Sequence, residues 1–143
     1  MPIEGVTGSA AQNIIVEILE KYGISGLNGK VSITLWGTGS PMREFLHVDD
    51  MADASVFLLM NYDAPYTTPS HVNAGYGDDV SIRQIAEIVR KTVNYTGGII
   101  WDVNKPDGTP KKLMDSSKLH NLGWKPSISL EAGVKLVVEN YMI

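Results

Sequence analysis

The run WGTGSPMREFLHVDDMAD, from Trp36 to Asp53, gathers a tryptophan, a glycine-proline turn, one arginine and a cluster of carboxylates. An arginine beside such a turn suits an anion, because its planar guanidinium places two charge-assisted hydrogen bonds on a phosphate. Trp36, seven residues before Arg43, could stack on a planar base or a sugar ring. From spacing alone the plainer alternative, a surface arginine and a core tryptophan, is preferred. A second cluster, KPDGTPKK from Lys105 to Lys112, sets Lys105, Lys111 and Lys112 around an Asp107-Gly108 turn. With Arg43 these lysines could neutralise a diphosphate, and Asp107 could accept hydrogen bonds from a ribose or sugar hydroxyl. Composition alone favours a solvated turn there.

Other groupings carry less. On a strand His47 and Asp49 would share a face while Asp50 points away, and no third type of metal ligand stands nearby. A capping aspartate and a hydrogen-bonded histidine are the preferred account. His71 and His120 are isolated. Gly75-Tyr76-Gly77 before a helix has the start of a phosphate-binding loop. Val80 stands where the third glycine belongs, and Asp78 and Asp79 would repel a phosphate. It reads as a plain strand-to-helix turn. No Ser-His-Asp order and no Tyr-x-x-x-Lys pair is present, and the absence of cysteine excludes disulfides, thiolate metal sites and cysteine nucleophiles.

The elements that must position these residues follow from periodicity. Residues 1–8 read as a loose lead-in. Ser9 with Gln12 predicts a capping box for a helix carrying Ile14, Ile15, Ile18, Leu19 and Tyr22, stopped by Gly23. Residues 24–30 read as a loop. Val31 to Trp36 alternates as a half-buried strand and delivers Trp36 into the turn. Phe45, Leu46 and Val48 predict a short strand, with Asp49 or Asp50 as N-cap of a helix through Met60. After a loop over 61–70, residues 71–74 predict a short strand. Ser81 and Gln84 form another capping box, opening an amphipathic helix with Ile82, Ile85, Ala86, Ile88, Val89 and Val93. Ile99 to Val103 is a second alternating strand. Asp115 or Ser116 caps a short helix ending at Gly123, and Ser129 opens the last helix. Strands interleaved with helices indicate an α/β or α+β fold.

A chain of 143 residues with 43% hydrophobic and 20% charged residues is expected to form a single soluble globular domain, residues 1–143. The net charge of −4 argues against nonspecific nucleic-acid or membrane partners. No apolar run reaches bilayer length and no leader pattern is present, so the expected location is cytoplasmic.

Three segments carry a family resemblance: WGTGSPMREFLHVDDMADA, VNAGYGDDVSIRQIAEIV, and WDVNKPDGTPKKLMDSSKLHNLGWKPSISLEAG. In this order they resemble the GDP-L-fucose synthases, extended short-chain dehydrogenase/reductases that epimerise GDP-4-keto-6-deoxy-mannose at C3 and C5 and reduce C4 with NADPH. The resemblance runs from Val31 to the C-terminus, with residues 1–30 a helix and lead-in of weaker match. It implies that Trp36, Arg43 and Asp107 contact the GDP-sugar, with Lys21 as a secondary candidate; Lys111 and Lys112 are secondary candidates on their charge alone. Lys21 lies about where the family has a basic contact after a helix. The family's Ser-His at the start of that helix has no counterpart in SAAQN. Its glycine fingerprint, the Ser, Tyr and Lys of the reductase centre and the epimerase Cys have none either. The resemblance therefore implies the C-terminal substrate-binding portion of an enzyme whose Rossmann half binds NADP, homodimeric as a whole, with no catalytic residue in this chain and none for metal. The competing expectations are a sibling UDP- or dTDP-sugar epimerase or dehydratase, and a non-catalytic nucleotide-sugar-binding module.

Overall fold

In the computed structural model, residues 3–27, 30–66 and 71–141 are described. The elements run α1 (Gln12–Lys21), β1 (Ile24–Leu27), β2 (Lys30–Trp36), β3 (Met42–Arg43), α2 (Val48–Asn61), β4 (Val80–Ser81) and α3 (Ile82–Thr92). They continue with β5 (Gly98–Asp102), β6 (Lys111–Lys112), α4 (Ser117–Asn121) and α5 (Leu130–Tyr141). The mixed α/β character agrees with the sequence reading. The chain divides into two compact units, Met1–Gly39 with Tyr95–Gly108, and Ser40–Asn94 with Thr109–Ile143.

The first unit is a sheet in the order β1-β2-β5, with α1 against β1. β1 runs antiparallel to β2, and β5 runs parallel to it. Residues 24–27 were expected as loop and instead form β1. The register pairs Leu27 with Lys30, which leaves the dipeptide Asn28-Gly29, a strong two-residue hairpin signal; that dipeptide lies outside the described residues. The Ser9 capping box does not form. α1 begins at Gln12 behind Ala11, which makes no side-chain cap bond, so Gln12 is the first helical residue rather than the third. The Ser9 hydroxyl lies 2.7 Å from that of Thr7.

The second unit holds the buried apolar side chains, Ala54, Leu119 and Trp124, with Leu46, Phe57, Leu58, Val72 and Ala74 packed around them. Its sheet has the order β4-β3-β6, with β3 antiparallel to β4 and parallel to β6. The strand expected over Phe45, Leu46 and Val48 is absent: the ladder residues are Met42 and Arg43, and Val48 already opens α2. Residues 71–74 likewise have no ladder partner among the described residues, although Val72 and Ala74 reach the core. Both segments carry strand composition that packing uses without pairing.

Neither Asp49 nor Asp50 caps α2. The cap is His47, whose Nδ1 accepts from the Asp49 amide at 3.2 Å. Asp50, only 3% exposed, accepts from the Ser127 amide (3.1 Å), the Ser127 hydroxyl (2.9 Å) and the Ile128 amide (3.0 Å). Asp53 accepts from the indole N–H of Trp124 at 2.7 Å. The carboxylates of α2 therefore bind the approach to α5 onto the helix. Ser81 and Gln84 form the predicted capping box of α3 in full. Ser129 accepts from the Ala132 amide at 3.3 Å as α5 begins.

Candidate functional site

In the first unit, β2 ends at Trp36, which is 72% exposed, so the alternative of a core tryptophan is overturned. Alternation puts Trp36 on the face of Ser32 and Thr34, away from Ile33 and Leu35. The Gly37 amide then donates to Asp102 O at 2.9 Å, joining the ends of β2 and β5. Thr38 follows, donating its amide to Asp107 Oδ1 at 2.8 Å and its hydroxyl to Oδ2 at 2.6 Å. Lys105 Nζ lies 5.4 Å from the centroid of a Trp36 ring. Trp36, Lys105 and Asp107 are thus assembled around one loop, an exposed aromatic ring with a cation over it. Lys21 stands apart: it ends α1 and pairs with Glu4 at 3.1 Å. The hydrogen bond to Glu4 raises the Lys21 pKa and lowers that of Glu4. Among the described residues Lys21 makes no bond to the Trp36 loop.

In the second unit, Arg43 sits on the middle strand of the sheet. Its Nη1 donates to Met42 O at 2.6 Å and to Thr109 O at 2.7 Å, which fixes the plane of the guanidinium. Nη2 and Nε have no partner among the described residues, so part of the fork remains available. Arg43 is register partner to Lys112 on the parallel strand β6. Register partners share a face of the sheet, and two cations therefore stand side by side. Lys111, one position earlier, lies 3.2 Å from Asp79, whose side chain is 7% exposed. It neutralises a buried carboxylate.

Sequence reasoning missed two residues. Thr38 stands between glycines and reads as turn filler. Glu44 accepts from the Gly77 amide at 2.7 Å and the Met114 amide at 3.2 Å, holding two loops to the strand that carries Arg43. An acid directly after the arginine was the available signal. Among the described residues no group of three or more His, Cys, Asp or Glu side chains could hold a metal ion. No helix of the described residues is long and apolar enough to cross a membrane. A cavity of about 370 Å³ in the second unit, lined by Phe45, Leu46, Ile85, Val89, Val134 and Val138 among others, is apolar and offers nothing to a diphosphate.

The sequence profile of the NAD dependent epimerase/dehydratase family matches residues 6–75, a span that begins before Val31 and includes the Trp36–Asp53 run. GDP-L-fucose synthase 1 of Arabidopsis thaliana is 47% identical over 130 residues, 91% of this chain and 39% of the relative. Among solved structures, a GDP-6-OMe-4-keto-L-xylo-heptose reductase from Campylobacter jejuni superposes with a TM-score of 0.83 at 37% identity. That match covers 93% of this chain and 39% of the other. A GDP-mannoheptose C4 reductase from the same organism, with NADP bound, gives 0.77 at 36% identity, covering 94% and 38%. The chain spans about two-fifths of the length of the curated relatives it matches. Over nine-tenths of its length the chain is thus similar to a part of the GDP-L-fucose synthases and related GDP-sugar reductases.

Proposed function

We propose that this chain is the GDP-sugar-binding portion of a GDP-L-fucose synthase. The complete enzyme would convert GDP-4-keto-6-deoxy-mannose to GDP-L-fucose by 3,5-epimerisation and 4-reduction. The observation that carries this is Arg43, half-tied by two carbonyls with Lys112 beside it. A guanidinium so held meets a diphosphate with its geometry already set. In the first unit, Trp36 offers its ring to the base or sugar, and Asp107 contributes from the same loop. Lys111 and Lys21 play smaller parts, since each has a carboxylate partner. Binding energy of this kind, remote from the reacting carbons, positions the sugar for chemistry.

NADPH would supply the hydride in the complete enzyme. The described residues do not fit a dinucleotide: both glycine turns are filled by the chain's own carboxylates, Asp107 at Thr38 and Glu44 at Gly77. The cofactor, the reductase centre and the epimerase step are assigned to the remainder of the parent enzyme, and this chain alone is inactive.

Calorimetric titration of the chain with GDP-fucose, GDP and UDP-glucose tests the reading. The GDP ligands bind more tightly than UDP-glucose, and Arg43→Ala weakens them by roughly ten- to a hundredfold, the worth of a hydrogen bond to a charged group. A UDP preference would move the assignment to the sibling epimerases. No binding by a folded chain would refute it.

A further inference from the structure

We infer that Thr38 is the positioning residue for Trp36, and that Asp107 acts through Thr38 as a clamp rather than as a direct partner of the sugar. This rests on the reading of Trp36 as the residue that stacks on the ligand. Trp36 stands exposed at the end of β2, so its orientation depends on what holds the loop that follows. Thr38 gives both its amide and its hydroxyl to Asp107, one to each carboxylate oxygen. The glycines on either side leave it no slack. Gly37 has φ +77° and Gly39 φ +75°, a region that favours glycine. A Cβ on Gly37 would strike the Asp107 carboxylate, and one on Gly39 would come within 2.6 Å of the Trp101 ring. Asp107 therefore closes on the loop at Gly37 and Trp101 closes on it at Gly39. Two residues before Asp107, Lys105 reaches back over Trp36. The path from Trp36 through Thr38 to Asp107, and from Asp107 through Lys105 back to Trp36, is a closed ring of covalent and noncovalent links.

An indole held in this way meets a flat ligand already oriented. Release the clamp, and the side chain must be ordered at each binding event, which weakens affinity. With Trp36 stacked on the base, the clamp acts on a part common to both ligands, and its loss affects GDP and GDP-fucose alike. A direct contact between Asp107 and a sugar hydroxyl would affect GDP-fucose alone.

The test is titration of GDP and GDP-fucose into the intact chain and its Thr38→Val, Thr38→Ser, Asp107→Ala and Trp36→Ala variants. Thr38→Val, which keeps the shape and removes the hydroxyl, weakens both ligands by roughly two- to tenfold. Thr38→Ser restores binding. Asp107→Ala adds little on top of Thr38→Val, as expected of two residues acting as one unit. The Trp36 indole N–H resonance of the free chain shifts or broadens in Thr38→Val and returns in Thr38→Ser. Should Thr38→Val not fold, Asp107→Ala carries the same spectroscopic comparison. Additive losses, a defect confined to GDP-fucose, or an unmoved indole resonance overturns the clamp while leaving the binding site intact. Unchanged affinity in Trp36→Ala refutes the stacking reading itself, and the clamp with it.

Discussion

Arg43 gives one nitrogen to two main-chain carbonyls, and in the proposed site the rest of its fork meets the ligand. A lysine cannot do both, since an ammonium lacks the planar spread. Arg43→Lys is therefore expected to bind GDP almost as poorly as Arg43→Ala, a comparison read by the same titration. Glu44 shows a different economy. Its two oxygens serve the Gly77 and Met114 amides, and glutamine offers only one acceptor oxygen for them. Glu44→Gln leaves one amide facing a donor and should cost about 1–3 kcal/mol in urea unfolding. Neither residue owes its role to type alone. Arg43 announces itself by motif and chemistry, but the identity of its sheet neighbour, Lys112, follows from a pairing between segments far apart in sequence. Thr38 was illegible for a similar reason: its partner stands at Asp107, and nothing local distinguishes it from turn filler.

Among the elements, the clearest helices were legible from periodicity, and their starts only where the cap is local. Ser81 and Gln84 stand at N-cap and N3 of α3 and bond reciprocally, so Ser81→Ala is expected to cost about 1 kcal/mol of stability by thermal melt. Ser9 and Gln12 have the same spacing and no such box, because α1 starts two residues later than the motif requires. At α2 the carboxylates that look like caps serve tertiary contacts. Burial alone would push the Asp50 carboxyl up, but the amides of Ser127 and Ile128, the Ser127 hydroxyl and nearby His47 outweigh it and hold the pKa below the usual value. The sign follows: its contribution is fully present above the unfolded carboxylate value, about 3.9, and is lost as pH falls through the lowered folded value. Asp50→Asn should flatten this acid limb of the stability curve, measured by urea melts from neutral pH downward.

Across the whole molecule, burial is uneven. The buried hydrophobic side chains of the described residues, Ala54, Leu119 and Trp124, all lie in the second unit. α1 has no buried residue, and Ile14 and Val16 remain over two-fifths exposed. Local opening follows such differences, so amides of α1 and β1 should exchange with deuterium well before those of α2 and α4. Equal protection across both units would contradict this. Fold class was readable from the alternation of strands and helices; the distribution of the core was not, because it depends on which of several apolar faces find partners. The same holds for charge. KPDGTPKK and Arg43 suggest four cations at one site, yet Lys111 is held by Asp79. An ion pair with a mostly buried partner is shielded from bulk salt far better than an open cation. Raising ionic strength should therefore erode diphosphate affinity as it would for the few open cations that remain, with a gentler slope than the sequence's count of lysines suggests.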